Sequence, residues 1–211
     1  MDKLTTVREE LSSIIAPSAI EQKDNALLIS PTSSETVAAV LKAATKNNLA
    51  VRAKGGGRGW WASTAPPEGG ILLKMTAMNK VIDIDQDLMT VTVESGITFK
   101  KLEEALDPLG YRIKIFPESG LTATVGGHVT TWGTSPFTSS LYEDQATQIV
   151  GLKVVVPTGE IIPTGSDALL NSAGHFSRRF FPADLSGLFI GSDGAFGVLT
   201  EVSLKIYPHP E

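Results

Sequence analysis

The 211-residue sequence has no cysteine. Disulfides, thiolate zinc sites, iron–sulfur ligation and a cysteine nucleophile are therefore excluded. It also lacks a basic excess: 18 Lys and Arg stand against 23 Asp and Glu, a net charge of −5. Such a surface repels a polyphosphate, which argues against nucleic acid as a partner. No apolar run approaches the ~18 residues of a membrane span, and Met1–Arg8 carries charges and hydroxyls where a signal peptide needs an apolar core. The expectation is a cytoplasmic protein without a membrane span. Only three histidines occur, His128, His175 and His209, far apart and without the i, i+4 pairing or HExxH pattern of a helical metal site, so no metal centre is expected. No serine sits in a G-x-S-x-G elbow, so nucleophilic hydrolysis has no support. The acidic pairs Glu103–Glu104 and Asp83/Asp85 read as solvated positions.

What remains is a globular composition, 42% hydrophobic and 19% charged, with 20 glycines. That is above the usual glycine share of ~7%. Leu4, Val7, Leu11, Ile14 and Ile15 recur at helical spacing and predict an amphipathic helix ending before Pro17. Thr32, with Glu35 three positions on, has the spacing of a capping box for a second helix with Val37, Val40, Leu41 and Ala44 on one face. Leu49–Ala53 predicts a strand that runs into a glycine loop. Ile71–Lys74 and Val81–Ile84 predict further strands. Met89, Val91 and Val93, alternating with Thr90, Thr92 and Glu94, predict a half-buried one. Thr98 can cap a helix carrying Phe99, Leu102 and Leu106, ended by Pro108 and Gly110. Ile149–Val156 and Glu160–Ile162 read as a hairpin around Pro157-Thr158-Gly159. Residues 163–183 read as a loop. In the closing strand Val198, Thr200, Val202, Leu204 and Ile206 share one face. Strands and helices mix without strict alternation, so the fold class is α+β, a single domain over 1–211 with lobes of about 1–95 and 96–211.

Three glycine segments carry the chemistry. Lys54-Gly55-Gly56-Gly57-Arg58-Gly59 follows a strand, where successive backbone N–H groups form an anion-binding nest and the missing Cβ atoms admit a ligand closely. It is not a dinucleotide fingerprint, because Trp60 stands where the third glycine belongs, and no G-K-[ST] of a P-loop is present. A flexible turn fits the three adjacent glycines equally well. Gly126-Gly127, after Ser119 and Thr124, offers a possible helix start to a second phosphate or a ribose, or else a tight helix contact. Trp60, Trp61 and Trp132 beside these segments can wall a planar ligand or fill a core.

Taken in order, four segments resemble one family. They are Lys54–Gly59; Pro117-Glu118-Ser119-Gly120 leading to Thr124-Val125-Gly126-Gly127; Ile149–Val155 with Gly159-Glu160; and Asp184-Leu185 running to Gly191-Ser192-Asp193-Gly194-Ala195-Phe196-Gly197-Val198-Leu199-Thr200. Their order follows the FAD-binding domain of the p-cresol methylhydroxylase and vanillyl-alcohol oxidase superfamily. Within it they look most like the FAD-binding part of glycolate oxidase and D-lactate dehydrogenase flavoproteins. The resemblance runs from about residue 27 to the end.

The resemblance implies a two-lobed FAD-binding domain without its cap. The backbone of Gly55, Gly56, Gly57, Arg58 and Gly59 would hold the pyrophosphate, with Lys54 and Trp60 flanking them among the cofactor-binding residues. Pro117, Ser119, Gly120, Thr124, Gly126 and Gly127 would form the second wall, and Val198 would meet the nucleotide end through its backbone. The family loop usually ends in Thr or His followed by Ser, the His version carrying covalent flavin. Here Gly59-Trp60 occupies that place, so the implied FAD is non-covalent. His128 and Trp132 replace asparagines common after the glycine pair, and Leu141-Tyr142-Glu143-Asp144 blurs a tyrosine-glycine usually found before the aspartate. Family enzymes continue into a cap carrying the substrate-binding arginine and histidines, whereas this sequence stops at Tyr207–Glu211. The resemblance therefore implies the FAD-binding portion of an oxidoreductase acting on a small-molecule 2-hydroxy acid such as glycolate or D-lactate. Its cap or electron-acceptor subunit would lie on another chain or segment, and the catalytic residues stay unassigned. A non-catalytic flavin carrier is the alternative. Arg178 and Arg179 beside Phe180-Phe181 have the composition of an interface and are the expected docking surface for a cap.

Overall fold

A computed structural model describes residues 3–59, 65–133, 145–169, 171–172, 174–179 and 183–209. Trp60, Trp61, residues 141–144 and Phe180-Phe181 lie outside the described residues. In chain order the elements are α1 (Lys3–Ser12), β1 (Ile20–Lys23), β2 (Ala26–Ile29), α2 (Ser34–Asn47), β3 (Val51–Lys54), β4 (Ile71–Lys74), β5 (Val81–Asp85) and β6 (Thr90–Glu94). They continue with α3 (Phe99–Leu106), β7 (Tyr111–Arg112), α4 (Val125–Thr130), β8 (Ile149–Val155), β9 (Ile161–Pro163), α5 (Ser186–Phe189), β10 (Val198–Lys205) and β11 (Tyr207–Pro208).

The first sheet has the order β1-β2-β4-β3. β4 runs parallel to both of its neighbours, β2 and β3, while β1 is antiparallel to β2. β2 and β4 read as nearly unbroken apolar runs because both of their faces are covered. Leu27, Ile29, Ile71 and Leu73 pack with Leu4, Val7 and Leu11 of α1 and Val37, Val40 and Leu41 of α2. Leu28, Leu72 and Ala26 form a small cluster of their own. The second sheet is wholly antiparallel in the order β5-β6-β10-β8-β9. One face packs on α3 and α4 through Val91, Val93, Leu152, Val202, Phe99, Leu102 and Val125. β5 and β6 precede residue 95 yet belong to this sheet, so the sheets divide between β4 and β5 rather than near residue 95. Among the described residues no helix is long and apolar enough to cross a membrane.

Five local expectations are corrected. α2 is capped by Ser33, not Thr32: Ser33 has extended backbone (φ −155°, ψ 163°) and its hydroxyl accepts from the Thr36 amide at 3.2 Å. In α1, Ile15 is buried but Ile14 is 61% exposed, since the helix has ended at Ser12. β6 is buried on both faces. Its polar side is satisfied within the protein, Thr92 sharing a hydrogen bond with Ser203 (2.8 Å) and Glu94 accepting from the Lys80 amide (2.8 Å). Met89, expected to open that strand, is instead left-handed (φ 54°). In β10 the expected single face is broken by a bulge between Leu199 and Glu201. As a result Leu199 joins the second core while Val198 joins the first.

The hairpin β8–β9 and the Thr98 cap, whose hydroxyl accepts from the Lys101 amide at 3.2 Å, are as expected. Because Ser33 and not Thr32 completes the first turn of α2, Ser33→Ala should cost about 1 kcal/mol of stability. In a chain of this size that lowers Tm by roughly 2–4 °C. Thr32→Ala, at an exposed position, should stay within about 0.5 kcal/mol. Thermal unfolding of the two variants checks this, and equal losses would return the cap to Thr32.

Candidate functional site

Between the lobes lies a cleft of about 470 Å³, within the usual ~300–1,000 Å³ of a small-molecule site. It exists because two backbones meet without side chains between them. A Cβ on Gly55 would strike the Thr124 hydroxyl, and one on Gly56 would strike the Thr122 carbonyl oxygen. The lobes are further tied by Arg58, whose Nε donates to Thr122 Oγ1 at 2.9 Å, and by Ser34, whose hydroxyl donates to Thr200 Oγ1 at 2.9 Å.

The two glycine walls differ in what they offer. On the second wall the donors are already used: the Gly126 amide donates to the Ser95 carbonyl at 2.7 Å and the Gly127 amide to Thr124 Oγ1 at 3.3 Å. The glycine pair there serves close approach, since a Cβ on Gly126 would run into Ser95. On the first wall the amides of Gly55, Gly56 and Gly57 donate to no acceptor among the described residues. Gly57 is left-handed (φ 69°), one of the backbone conformations from which anion nests are built. Of the two readings open for Gly126-Gly127, these bonds support the tight helix contact, which leaves one wall with unengaged donors and one fitted wall.

Of the residues expected to bind the cofactor, Gly55, Thr124, Gly126, Gly127 and Val198 line the cleft. Lys54 ends β3 in register with Lys74, and Gly56, Gly57, Arg58 and Gly59 form the loop that follows. Pro117, Ser119 and Gly120 form a hydrogen-bonded turn beside the second wall. The Pro117 carbonyl accepts from the Gly120 amide (2.8 Å), the Ser119 carbonyl from Thr122 and Ala123, and the Gly120 carbonyl from Lys100. Trp60 lies outside the described residues.

The cleft also takes residues that had no site role in the sequence. Leu41, Ala44, Thr45, Leu49 and Pro157 make an apolar end, closed where Thr45 Oγ1 donates to the Pro157 carbonyl at 2.7 Å. Leu41 and Ala44 fall on the helical stripe already assigned to the core, so no separate signal marked them. Asp193, Gly194 and Ala195 line the cleft from the glycine-rich turn before β10, whose glycine density was the available signal.

Arg178 is not at a free surface. Its guanidinium is 12% exposed, grips Asp184 through Nε and a terminal nitrogen (3.0 and 2.8 Å) and donates to the Ala146 carbonyl at 2.7 Å. The bidentate pair braces the turn before α5, whereas Arg179 beside it is 76% exposed. Among the described residues no cluster of His, Asp and Glu can hold a metal.

A glycine loop with unengaged amides and an apolar end around one cleft define a binding site for a nucleotide cofactor. Comparison with known proteins makes that specific. Residues 26–165 match the family described as FAD binding domain, and the chain belongs to that family. It is 35% identical over 178 residues to an uncharacterised FAD-linked oxidoreductase of Mycobacterium tuberculosis, covering 84% of this chain and 37% of that protein. It is 28% identical over 184 residues to a glycolate oxidase subunit of Bacillus subtilis (87% and 37% covered) and 30% identical over 200 residues to a D-lactate dehydrogenase of Archaeoglobus fulgidus (95% and 42%). The chain thus spans about two-fifths of the length of these relatives. Crystalline p-cresol methylhydroxylase with substrate bound shares the fold at a TM-score of 0.85 and 19% identity, covering 99% of this chain and 44% of that one. The 4-ethylphenol oxidase of Gulosibacter chungangensis matches at 0.82 and 25% identity, covering 99% and 43%. FAD is the cofactor, and the residues present fit it: unengaged amides for a diphosphate and an apolar slot for an adenine.

His128, on the buried side of α4, meets Phe99 edge-on at 5.0 Å between ring centroids. Burial pushes its pKa from 6.5 down to about 4. The unfolded chain therefore takes up a proton below about pH 6.5 that the folded chain refuses until about pH 4, so stability falls across that window and levels off beneath it. His128→Asn should remove on the order of 3 kcal/mol of the loss between pH 7 and pH 4. Urea unfolding at both pH values checks this. The residual slope belongs in part to His175, whose pKa burial also lowers. An unchanged pH dependence would contradict the assignment to His128.

Proposed function

We propose that this chain binds FAD without a covalent bond as the flavin-binding part of an oxidoreductase for a small 2-hydroxy acid such as glycolate or D-lactate. The groups that bind the substrate lie on a cap, in another segment or a partner subunit. The observation that carries the reading is the row of unengaged amides at Gly55, Gly56 and Gly57, opposed by a wall shaped to approach them closely. The glycolate oxidase and D-lactate dehydrogenase relatives support the substrate class.

FAD when bound supplies the redox chemistry, accepting the hydride as the hydroxy acid becomes the oxo acid. The chain supplies binding and orientation. Oxidation also needs a cation for the substrate carboxylate and a base near its hydroxyl, each within hydrogen-bond reach. The cleft-lining residues include one cation, Arg52, which donates to the Ala65 carbonyl at 2.8 Å, and no histidine. That composition favours substrate groups supplied from outside these residues.

Purified protein is expected to be yellow, or to turn yellow and gain stability on adding FAD, and acid precipitation should leave the flavin in the supernatant. Protein that refuses FAD by absorbance and calorimetry contradicts the reading; flavin in the pellet contradicts its non-covalent part. The FAD-loaded chain is expected to reduce dye with glycolate or D-lactate far more slowly than ~1 s⁻¹, the low end of ordinary enzymes. Addition of a cap-bearing partner should raise that rate. Turnover above that rate by the chain alone would place the substrate groups within these residues.

A further inference from the structure

Asp193 has no part in the reading so far. It lines the cleft, is exposed, and stands in a left-handed conformation (φ 51°) beside left-handed Gly194 (φ 78°). A non-glycine residue there carries a conformational cost that surrounding contacts must hold in place. Those contacts are visible. The Asp193 amide donates to the Thr130 carbonyl at 2.8 Å, and the neighbouring Gly191 amide to the Val129 carbonyl at 3.0 Å. This locks the turn onto the end of α4, whose beginning is the Gly126-Gly127 wall. On its other side the turn runs through Gly197, packed on Val154 and Val155, into Val198, which pairs with Val155. Two residues beyond Val155 is Pro157, at the apolar end of the cleft. Asp193 is therefore tied to α4, which carries the second glycine wall, on one side and through Gly197 and Val198 to β8, which leads to the apolar end, on the other.

A carboxylate at that place is chemically selective. It repels phosphate, and the other charged lining residue, Arg52, is on β3 and engaged with Ala65. What it accepts from is hydroxyl, and the group between the diphosphate and the adenine of a nucleotide is a ribose with a vicinal diol. We propose that Asp193 is the residue that recognises the ribose hydroxyls of the adenosine half of the cofactor, selecting an unmodified diol over a ribose that lacks it or carries a phosphate. A carboxylate does the same for ribose in other nucleotide sites. The proposal rests on the FAD reading, and deepens it by naming which residue discriminates the dinucleotide from its mononucleotide half.

The test uses calorimetry with FAD, FMN, ADP and 2′,3′-dideoxy-ADP on the wild-type chain, on Asp193→Asn and on Asp193→Gly. Both substitutions tolerate the left-handed backbone, so unchanged apo melting curves are expected. Loss of a hydrogen bond to a charged group corresponds to roughly a tenfold to hundredfold rise in Kd. Asp193→Gly should show that loss for FAD and ADP, with a smaller loss for Asp193→Asn, which keeps a neutral acceptor. Wild type should prefer ADP over the dideoxy nucleotide by a similar factor, and Asp193→Gly should bind the two alike. FMN, which has no adenosine, should be indifferent to both substitutions. If wild type binds FAD but Asp193→Gly binds it equally well, or if removing the diol costs wild type and variant the same, the proposal is overturned while the FAD reading stands. If wild type does not bind FAD, the FAD reading itself has failed.

Discussion

The arrangement depends on the Gly126 amide donating to the Ser95 carbonyl at 2.7 Å. Ser95 follows β6, and its own amide donates to the Thr200 carbonyl (2.9 Å) at the bulge of β10. This chain of bonds sets α4 against the second sheet at a distance only a glycine permits. The same closeness brings Thr124, the cap of α4, onto Gly55 of the first lobe. A side chain at either glycine would part the walls. The bulge in β10 has a second consequence, because it hands Val198 and Leu199 to different cores and so couples the two lobes through one strand.

The cleft follows as a by-product of packing rather than as a hollow carved into one core. Its second wall has spent its amides on holding α4, whereas the loop after β3 has no such duty and keeps its amides for a ligand. An anion is the partner such a row of N–H groups favours. The net charge of −5 does not oppose this, because the field at the loop is set by nearby backbone dipoles rather than by the distant total.

Elements whose pattern is local were legible in the sequence. β4 follows from Ile71-Leu72-Leu73, α3 from its Thr98 cap and apolar stripe, and the β8–β9 hairpin from Pro157-Thr158-Gly159. The assignment of β5 and β6 to the second sheet was not, because strand pairing across a hundred residues leaves no mark on either strand. The capping-box spacing of Thr32 with Glu35 favoured the wrong residue, and only the extended backbone of Ser33 and its bond from the Thr36 amide place the cap there. In the site, the glycine segments were legible because absence of a side chain is itself the signal. Leu41, Ala44 and Pro157 were not, since a residue that walls a cleft and one that fills a core obey the same periodicity. The division of labour between the two glycine walls was hidden as well, because it depends on where Ser95 comes to lie.

Amide hydrogen exchange with and without FAD tests the central claim most directly, since it reads the donors themselves. The amides of Gly55, Gly56 and Gly57 should exchange freely in the apo protein and become protected on binding. The Gly126 amide should be protected in both states, held by Ser95. Protection gained at Gly126 and Gly127 while residues 55–57 stay unprotected would contradict the account, as the phosphates would then rest on the wall whose donors it has already assigned.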